Sequence, residues 1–253
     1  MKISILGCGW LGLPLARNLI AKGHLVKGST TSRNKKQVLS TEGISPYIIE
    51  LFEEGIQGDI AAFLSDAEVL IIDIPPGLRK DPEINFVGKI GRLSSQIERS
   101  GVKKVIFISA TSVYEDTEDI PTYTEEDLAN GTAENSKQLI GAEEVLKNSE
   151  AFETSIIRFG GLIGPGRHPV NYLSGKKVLK DAEAPVNLIH LEDCIGIIEA
   201  TIEKEAWSYT FNAVAPDHPT RKEYYTKMAI EKGLANMTFD NNLVSKGKVI
   251  SSK

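Results

Sequence analysis

Cysteine is scarce in this chain of 253 residues, which contains only Cys8 and Cys194. The two lie far apart and neither belongs to a CxxC motif, so a disulfide framework or a zinc knuckle is not expected. No apolar run approaches the roughly 18 residues that a membrane-spanning helix needs, and the N-terminus carries no recognisable cleavage-type segment. A net charge of −5 argues against a general nucleic-acid or membrane-surface binder. We therefore expect a cytoplasmic enzyme or binding domain.

Common catalytic signatures are also missing. The sequence has no HxxxH motif, no cysteine cluster and no patterned carboxylate loop, which are the usual signs of a metal site. It also lacks a GxSxG nucleophile motif with ordered partners. A metalloenzyme or a hydrolase is therefore not favoured.

Acidic residues are absent from the first 41 positions, which carry seven basic side chains. The first carboxylate is Glu42, and the rest of the chain has 22 basic against 34 acidic residues. A positive end on an acidic protein favours an anionic ligand. The alternative is an accident of composition.

Short β-branched segments alternate with longer amphipathic ones along the chain, a pattern typical of an α/β fold with a doubly wound parallel sheet. A boundary is expected after Gly164-Pro165-Gly166, which separates a domain at 1–165 from a smaller C-terminal portion at 166–253. The strand at 209–214 is expected to return to the main sheet. The predicted strands are 2–6, 24–29, 47–51, 69–74, 104–109, 155–160 and 209–214, and the predicted helices are 10–22, 84–99, 136–147, 191–203 and 222–232.

A GxGxxG motif occupies residues 7–12, directly after the first predicted strand and at the start of a predicted helix. In this context Gly7 permits a tight turn, Gly9 lets the backbone approach a diphosphate, and Gly12 lets the helix pack on the strand. The free N–H groups of the loop, including those of Trp10 and Leu11, would face the phosphates. We call residues 7–12 the glycine loop, and it predicts a Rossmann dinucleotide-binding domain. A tight turn without a ligand is the alternative.

The end of the second predicted strand lacks the carboxylate that an NAD-specific site places there. The segment 28–34 instead offers Thr31, Ser32 and Arg33. Hydroxyl donors and a guanidinium suit a 2′-phosphate better than a carboxylate would. This predicts NADP in preference to NAD, unless Arg33 and Lys35 merely solvate the start of a helix.

Three further segments, at 106–114, 158–167 and 187–193, together with the glycine loop, resemble the extended short-chain dehydrogenase/reductases. The chain is most similar to the shorter atypical members usually called NAD-dependent epimerase/dehydratases. The resemblance implies hydride transfer between a nicotinamide cofactor and a sugar nucleotide or a small carbonyl compound. It also implies cofactor contacts at Ile74, Pro75, Ser109 and Phe159.

The family's acid–base dyad, a YxxxK motif, has no counterpart at the expected helix. Alignment of that helix places Asn135 at the tyrosine and Leu139 at the lysine. An amide cannot exchange a proton near pH 7, and leucine carries no charge to shift a pKa. Only Tyr172 has a lysine four residues later, Lys176, and loop residues are the better interpretation of that pair.

Other side chains are candidates for the catalytic roles. Ala110 stands where the family has the Ser or Thr that polarises the substrate oxygen, so the neighbouring hydroxyls become candidates. His168 is the candidate proton carrier, because histidine titrates near neutral pH. The orienting hydroxyls are Ser109, Thr111 and Ser112, and the expected substrate contacts are Arg167, His168, Asn187 and His190.

Two functions of different classes remain open. The first is an NADP-dependent oxidoreductase or epimerase-like enzyme with an irregular active site. The second is a dinucleotide-binding regulator or redox sensor without catalysis, which the missing dyad favours. In both cases a small molecule is the expected partner, a homodimer is possible, and neither nucleic acid nor a membrane is expected.

Overall fold

The computed structural model describes residues 1–78, 81–175, 178–240 and 243–252. Its strands β1 to β13 are Lys2–Leu6, Leu25–Thr30, Ser45–Ile48, Glu50–Leu51, Ile56–Gln57, Val69–Ile72, Lys104–Ala110, Thr122–Tyr123, Glu153–Phe159, Gly161–Ile163, Leu188–His190, Thr210–Ala213 and Val249–Ile250. Its helices α1 to α8 are Gly12–Ala21, Arg33–Thr41, Ile60–Leu64, Phe86–Ser100, Glu134–Lys147, Val170–Leu173, Leu191–Glu203 and Arg221–Glu231, and a 3₁₀ turn spans Thr111–Val113. Within the described ranges, no helix is both long enough and apolar enough to cross a membrane.

The largest sheet has seven strands in the order β12-β9-β7-β6-β1-β2-β3. Pairing is parallel from β7 through β6, β1 and β2 to β3. The winding direction therefore reverses at β1, between β2 on one side and β6 on the other. This arrangement confirms the predicted α/β fold of Rossmann type, and ligands of such sheets bind outside the carboxyl ends of the strands at the reversal.

The central strands are apolar because helices cover both faces of the sheet. All four residues of β6 are fully buried. Leu11 at the N-cap of α1, and Leu15 and Leu19 within the helix, recur every four residues and are at most 3% exposed, so they form one buried stripe. Pro14 lies in the first turn of this helix, where its missing N–H removes no intrahelical hydrogen bond.

Two predicted elements differ from the structure near the second and third strands. The segment 47–51 is not one strand: β3 ends at Ile48 in the large sheet, and β4 pairs antiparallel with β5 in a separate hairpin. Helix α2 was absent from the predicted helices. Only Leu39 of its nine residues is buried, so the apolar periodicity that indicates a helix is weak there.

The chain forms two compact units, each built from three segments. Unit 1 comprises Met1–Ser109, Ala133–Ile157 and Ile195–Thr210, and unit 2 comprises Ala110–Thr132, Arg158–Cys194 and Phe211–Lys253. The domain boundary expected near residue 165 remains a prediction. Strand β12, at the position of the predicted strand 209–214, belongs to the seven-stranded sheet.

Candidate functional site

A cleft of about 360 Å³ opens beside the glycine loop in unit 1. Its volume is in the range of small-molecule pockets, ~300–1,000 Å³. The walls come from the carboxyl ends of β1, β2 and β6 and from the segment 49–51. A larger groove of about 530 Å³ lies at the amino ends of β7 and β9, but it contains none of the predicted site residues. We therefore place the candidate site in the cleft.

The three glycines of the loop differ in what surrounds them. Gly7 has a φ of +108°, and a Cβ there would overlap the backbone of Asp73. A Cβ at Gly12 would overlap the carbonyl oxygen of Gly7, so close packing of α1 requires glycine there. A Cβ at Gly9 would meet no atom within 4 Å, so its backbone faces open space. The amide of Gly9 donates to the Gly7 carbonyl at 2.8 Å, but its open side lets a diphosphate approach the backbone toward the start of α1.

Ser29, a residue that the sequence interpretation did not single out, holds the glycine loop against β2. The amide of Gly7 donates to Ser29 Oγ at 2.9 Å, and the amide of Cys8 donates to the Ser29 carbonyl at 2.8 Å. Ser29 is only 2% exposed. β2 reads Leu-Val-Lys-Gly-Ser-Thr, so Ser29 is one of several polar residues there and the sequence carried no distinct signal for this role.

Cys8 fills space beneath the loop and is chemically inert there. Burial raises the pKa of its thiol to about 12, and the negative charge of Asp73 adds to this effect. The thiol therefore stays protonated and is a poor nucleophile at neutral pH. A Cβ at Gly28 would lie 2.6 Å from Cys8 Sγ, so the sulfur packs directly on β2.

Lys35, rather than Arg33, lines the cleft near the end of β2. Arg33 is the first residue of α2 and is exposed. Thr30 and Thr31 line the same wall, and Thr30 Oγ1 accepts a hydrogen bond from the amide of Ser32 at 3.1 Å. Among the described residues, the Lys35 ammonium forms no ion pair. The basic residue that lines the cleft just after β2 is therefore Lys35, whereas the sequence analysis proposed Arg33 for the 2′-phosphate and named Lys35 only in the alternative of solvation.

Of the remaining predicted cofactor contacts, two line the cleft, and the other three are not among its lining residues. Ile74 and Pro75 line the cleft, as a cofactor contact requires. Leu11 is buried in the core and Trp10 is half-buried. Phe159 belongs to unit 2 and is 2% exposed.

The hydroxyl of Ser109 is committed to a buried hydrogen bond within unit 1. Its Oγ lies 2.6 Å from Oε1 of Glu143 on α5, and both side chains are at most 4% exposed. A buried carboxylate needs such donors because its desolvation is costly. The bond therefore holds α5 against β7.

Replacement of Ser109 by alanine is expected to lower the free energy of unfolding by about 1.5–3 kcal/mol, because the buried carboxylate of Glu143 loses a donor. Urea denaturation checks this value. We expect the affinity for NADP to be unchanged in the same variant. A loss of NADP affinity at full stability would instead favour the predicted role of Ser109 as a cofactor contact.

In unit 2, the 3₁₀ turn carries the other two candidate hydroxyls. Thr111 is buried and Ser112 is half-buried. Tyr114, which follows the turn, is buried and its hydroxyl accepts a hydrogen bond from Arg158 Nη1 at 2.7 Å. The same hydroxyl is 2.9 Å from the Thr124 carbonyl, to which it donates. Tyr114 therefore anchors the segment that presents the two hydroxyls.

Both ring nitrogens of His168 have partners in unit 2. Nδ1 accepts a hydrogen bond from the amide of Val170 at 3.2 Å, so Nδ1 carries no proton. Nε2 lies 3.0 Å from the hydroxyl of Tyr224, whose ring stacks on the imidazole at 5.8 Å. Burial lowers the pKa of His168, and the charge of Lys232 adds to this effect. A proton relay through His168 would have to break one of these contacts.

Acidification is expected to destabilise the protein through His168. Its pKa in the folded state lies below the ordinary value of 6.5, so the unfolded chain binds the proton more readily. The stability due to the neutral imidazole is therefore present above pH 6.5 and is lost as the pH falls toward the folded-state pKa, by at most about 1.4 kcal/mol per pH unit. Urea unfolding between pH 7.5 and 5.5 should show a smaller loss in His168→Asn than in the wild type. Equal losses would contradict this assignment.

Asn187 fastens the C-terminal tail rather than standing free. Its Nδ2 donates to the Lys248 carbonyl at 2.8 Å, and its Oδ1 accepts from the amide of Ile250 at 2.8 Å. Lys248 in turn donates to the carbonyl of Tyr114 at 2.6 Å. The tail thereby pairs as β13 with β8. Lys248 therefore has a structural role in the tail, which the linear sequence did not indicate.

The other predicted substrate contacts lie at or near the surface of unit 2. Arg167 is exposed, and the His190 side chain is 41% exposed, with Nδ1 3.9 Å from a Glu192 carboxylate oxygen. Tyr172 is 71% exposed, and Lys176 lies outside the described residues.

The two residues aligned with the missing dyad lie in unit 1, and neither side chain can exchange a proton. Asn135 is exposed at the start of α5, and Leu139 is a core residue at 4% exposure. No group of three or more potential metal ligands occurs in the part of the chain that the structure describes. The site therefore depends on its backbone amides, hydroxyls and lysines.

No protein-family model matches the chain. It is 35% identical over 251 residues to Protein YeeZ of Escherichia coli strain K12, an alignment that covers 98% of this chain and 90% of that protein. The chain belongs to the YeeZ family. The similarity therefore extends along almost the whole of both chains.

Solved structures confirm the fold of this YeeZ family member. UDP-glucuronic acid 4-epimerase from Bacillus cereus, in complex with NAD, has a TM-score of 0.80 at 18% identity, with coverage of 99% of this chain and 90% of that one. Human epimerase family protein SDR39U1, with NADPH, has a TM-score of 0.73 at 15% identity and the same coverage. The chain shares the fold of these two proteins, which confirms the fold that the resemblance implied.

Proposed function

We propose that the protein is an NADP(H)-dependent oxidoreductase of the extended short-chain dehydrogenase/reductase type. The observation that carries this proposal is the cleft at the glycine loop, which is lined by the open backbone at Gly9 and by Lys35. The structural neighbours are crystallised with NAD or NADPH, which supports a nicotinamide cofactor for this fold. Fold alone does not define activity, so the proposal rests on the site.

The cleft residues suit the parts of a dinucleotide. The diphosphate would lie at the positive end of α1, where the loop joins the helix, because the amides of Gly7, Cys8 and Gly9 already donate within the protein. Ile49, Leu51 and Ile74 provide apolar walls that suit an adenine ring. Lys35, with Thr31, would hold the 2′-phosphate that distinguishes NADP from NAD.

The chemistry needs few groups from the protein. A bound nicotinamide supplies or accepts the hydride, and the substrate is a carbonyl or carbinol compound. Thr111 and Ser112 directly follow β7, at the carboxyl edge where ligands of this fold bind, and would orient the substrate oxygen. We assign the proton exchange at that oxygen to water, because both nitrogens of His168 have partners. A sugar nucleotide and a small carbonyl compound remain the two candidate substrates.

A non-catalytic dinucleotide sensor is the second candidate. The observation that favours it is the pair of residues at the dyad positions, exposed Asn135 and buried Leu139, neither of which can carry a proton. Such a protein would bind NADPH and NADP with different affinities and oxidise or reduce neither.

Thermal-shift and turnover measurements test the proposal together. A ligand present at 100 times its Kd stabilises the native state by about 2.7 kcal/mol, so NADP is expected to raise Tm more than NAD at equal concentration. The loss of NADPH absorbance is then followed with a panel of sugar nucleotides and small carbonyl compounds. Binding without turnover of any compound supports the sensor. No shift with either nucleotide contradicts both candidates.

A further inference from the structure

A carboxylate stands within the cradle that would receive the diphosphate. Asp73 directly follows β6 and lines the cleft together with Gly7 and Gly9. Its Oδ2 lies 3.2 Å from the position that a Cβ at Gly12 would occupy, and Gly12 is the first residue of α1. The side chain is therefore beside the amino end of the helix, where the phosphates of a dinucleotide also bind.

The charge of Asp73 acts on the glycine loop. It contributes to the raised pKa of Cys8, the second residue of that loop. A carboxylate and a phosphate both favour the positive end of a helix dipole, so they compete for the same stabilisation. They also repel each other, and this repulsion is strong at short range in a partly desolvated cleft.

We propose that Asp73 limits the affinity of the glycine loop for a diphosphate, so that the dinucleotide is an exchanging co-substrate and not a permanently held group. This inference rests on the proposed function and deepens it. A reaction that changes the oxidation level of its substrate leaves the cofactor in the other redox state, and the cofactor must then leave. A reaction that returns the hydride to the same substrate has no such need. Asp73 therefore favours net oxidation–reduction over epimerisation.

Three probes separate the parts of the site. ADP carries the diphosphate, 2′-AMP carries only the 2′-phosphate, and NADP carries both. Calorimetric titration of Asp73→Asn is expected to show at least tenfold tighter binding of ADP and NADP than the wild type, with less than a twofold change for 2′-AMP. Asparagine keeps the shape and one acceptor while it removes the charge. Asp73→Ser serves as a second variant if the first is destabilised.

Glu50 provides the matched control, because it is an acidic residue that lines the same cleft from β4 and is not part of the glycine loop or of the strand before Asp73. Glu50→Gln is expected to change ADP affinity less than Asp73→Asn does. Equal tightening in both variants would assign the effect to the net charge of the cleft and overturn the role of Asp73. Equal or weaker binding of ADP by Asp73→Asn would overturn it as well.

The purified wild-type protein provides an independent readout. Acid precipitation followed by chromatography of the supernatant is expected to release less than one equivalent of nucleotide. A full equivalent of bound dinucleotide would contradict exchange. If neither the wild type nor either Asp73 variant binds any of the three probes, the proposed function itself is wrong. If the wild type binds NADP and Asp73→Asn gives no gain, only this inference fails.

Discussion

Replacement of Gly9 by alanine is expected to weaken NADP binding by about 100-fold, or ~2.7 kcal/mol, while the free energy of unfolding stays within about 0.5 kcal/mol of the wild type. A Cβ at this position meets no protein atom within 4 Å, so the fold accommodates it. The same methyl group would extend into the space through which a diphosphate approaches the backbone. Calorimetric titration and urea denaturation of the same sample measure the two quantities.

The matched control for this prediction is Gly12→Ala. Here the added Cβ would overlap the carbonyl oxygen of Gly7, and backbone cannot give way as a flexible side chain can. Overpacking of this kind costs about 1–3 kcal/mol, so stability falls in Gly12→Ala and not in Gly9→Ala. If Gly9→Ala bound NADP as tightly as the wild type, the glycine loop would not be the diphosphate site.

Charge reversal at Lys35 is expected to remove the preference for NADP. In Lys35→Glu the 2′-phosphate would lose a charge-assisted hydrogen bond and face a like charge. Such bonds contribute about 1.5–3 kcal/mol, so we expect NADP affinity to fall roughly 10- to 100-fold. NAD lacks this phosphate, and its affinity should change little. Titration of both nucleotides against the variant gives the ratio directly.

Arg33→Glu is the control for this second prediction, because it makes the same charge change two residues earlier on the same helix. Lys35 lines the cleft and Arg33 is not among its lining residues, so we expect less than a threefold change in NADP affinity. A larger effect at Arg33 than at Lys35 would support the original prediction made from the sequence. Equal effects would indicate a long-range field and no specific contact.

Arg33 and Lys35 illustrate what could and could not be predicted from the sequence. The missing carboxylate after β2 and the surplus of basic residues could be recognised from the sequence alone. Which cation lines the cleft depends on the helical phase of α2, since residues two positions apart point in different directions. The weak periodicity of α2, with only Leu39 buried, concealed that phase.

The hydroxyl and imidazole candidates illustrate a second limit. Ser109 is a reasonable candidate because it is the last residue of the predicted strand 104–109, and β7 ends one residue later, at Ala110. Side chains of successive strand residues point to opposite faces, and Ser109 lies on the face that packs against Glu143. His168 likewise satisfies both nitrogens within its own unit. The partners of Ser109 and His168 lie 34 and 56 positions away in the sequence, so no local pattern identifies them.

The alternation of strands and helices, the glycine loop and the lack of a tyrosine–lysine dyad in the expected helix could all be recognised from the sequence, because they depend on local patterns and on spacing. Which charges meet in the cleft became evident from the folded chain. It placed Lys35 and Asp73 there, left Arg33 outside, and engaged Ser109, His168 and Asn187 in hydrogen bonds. The physical reason is that a side chain's partner depends on packing between distant segments, which no local pattern encodes.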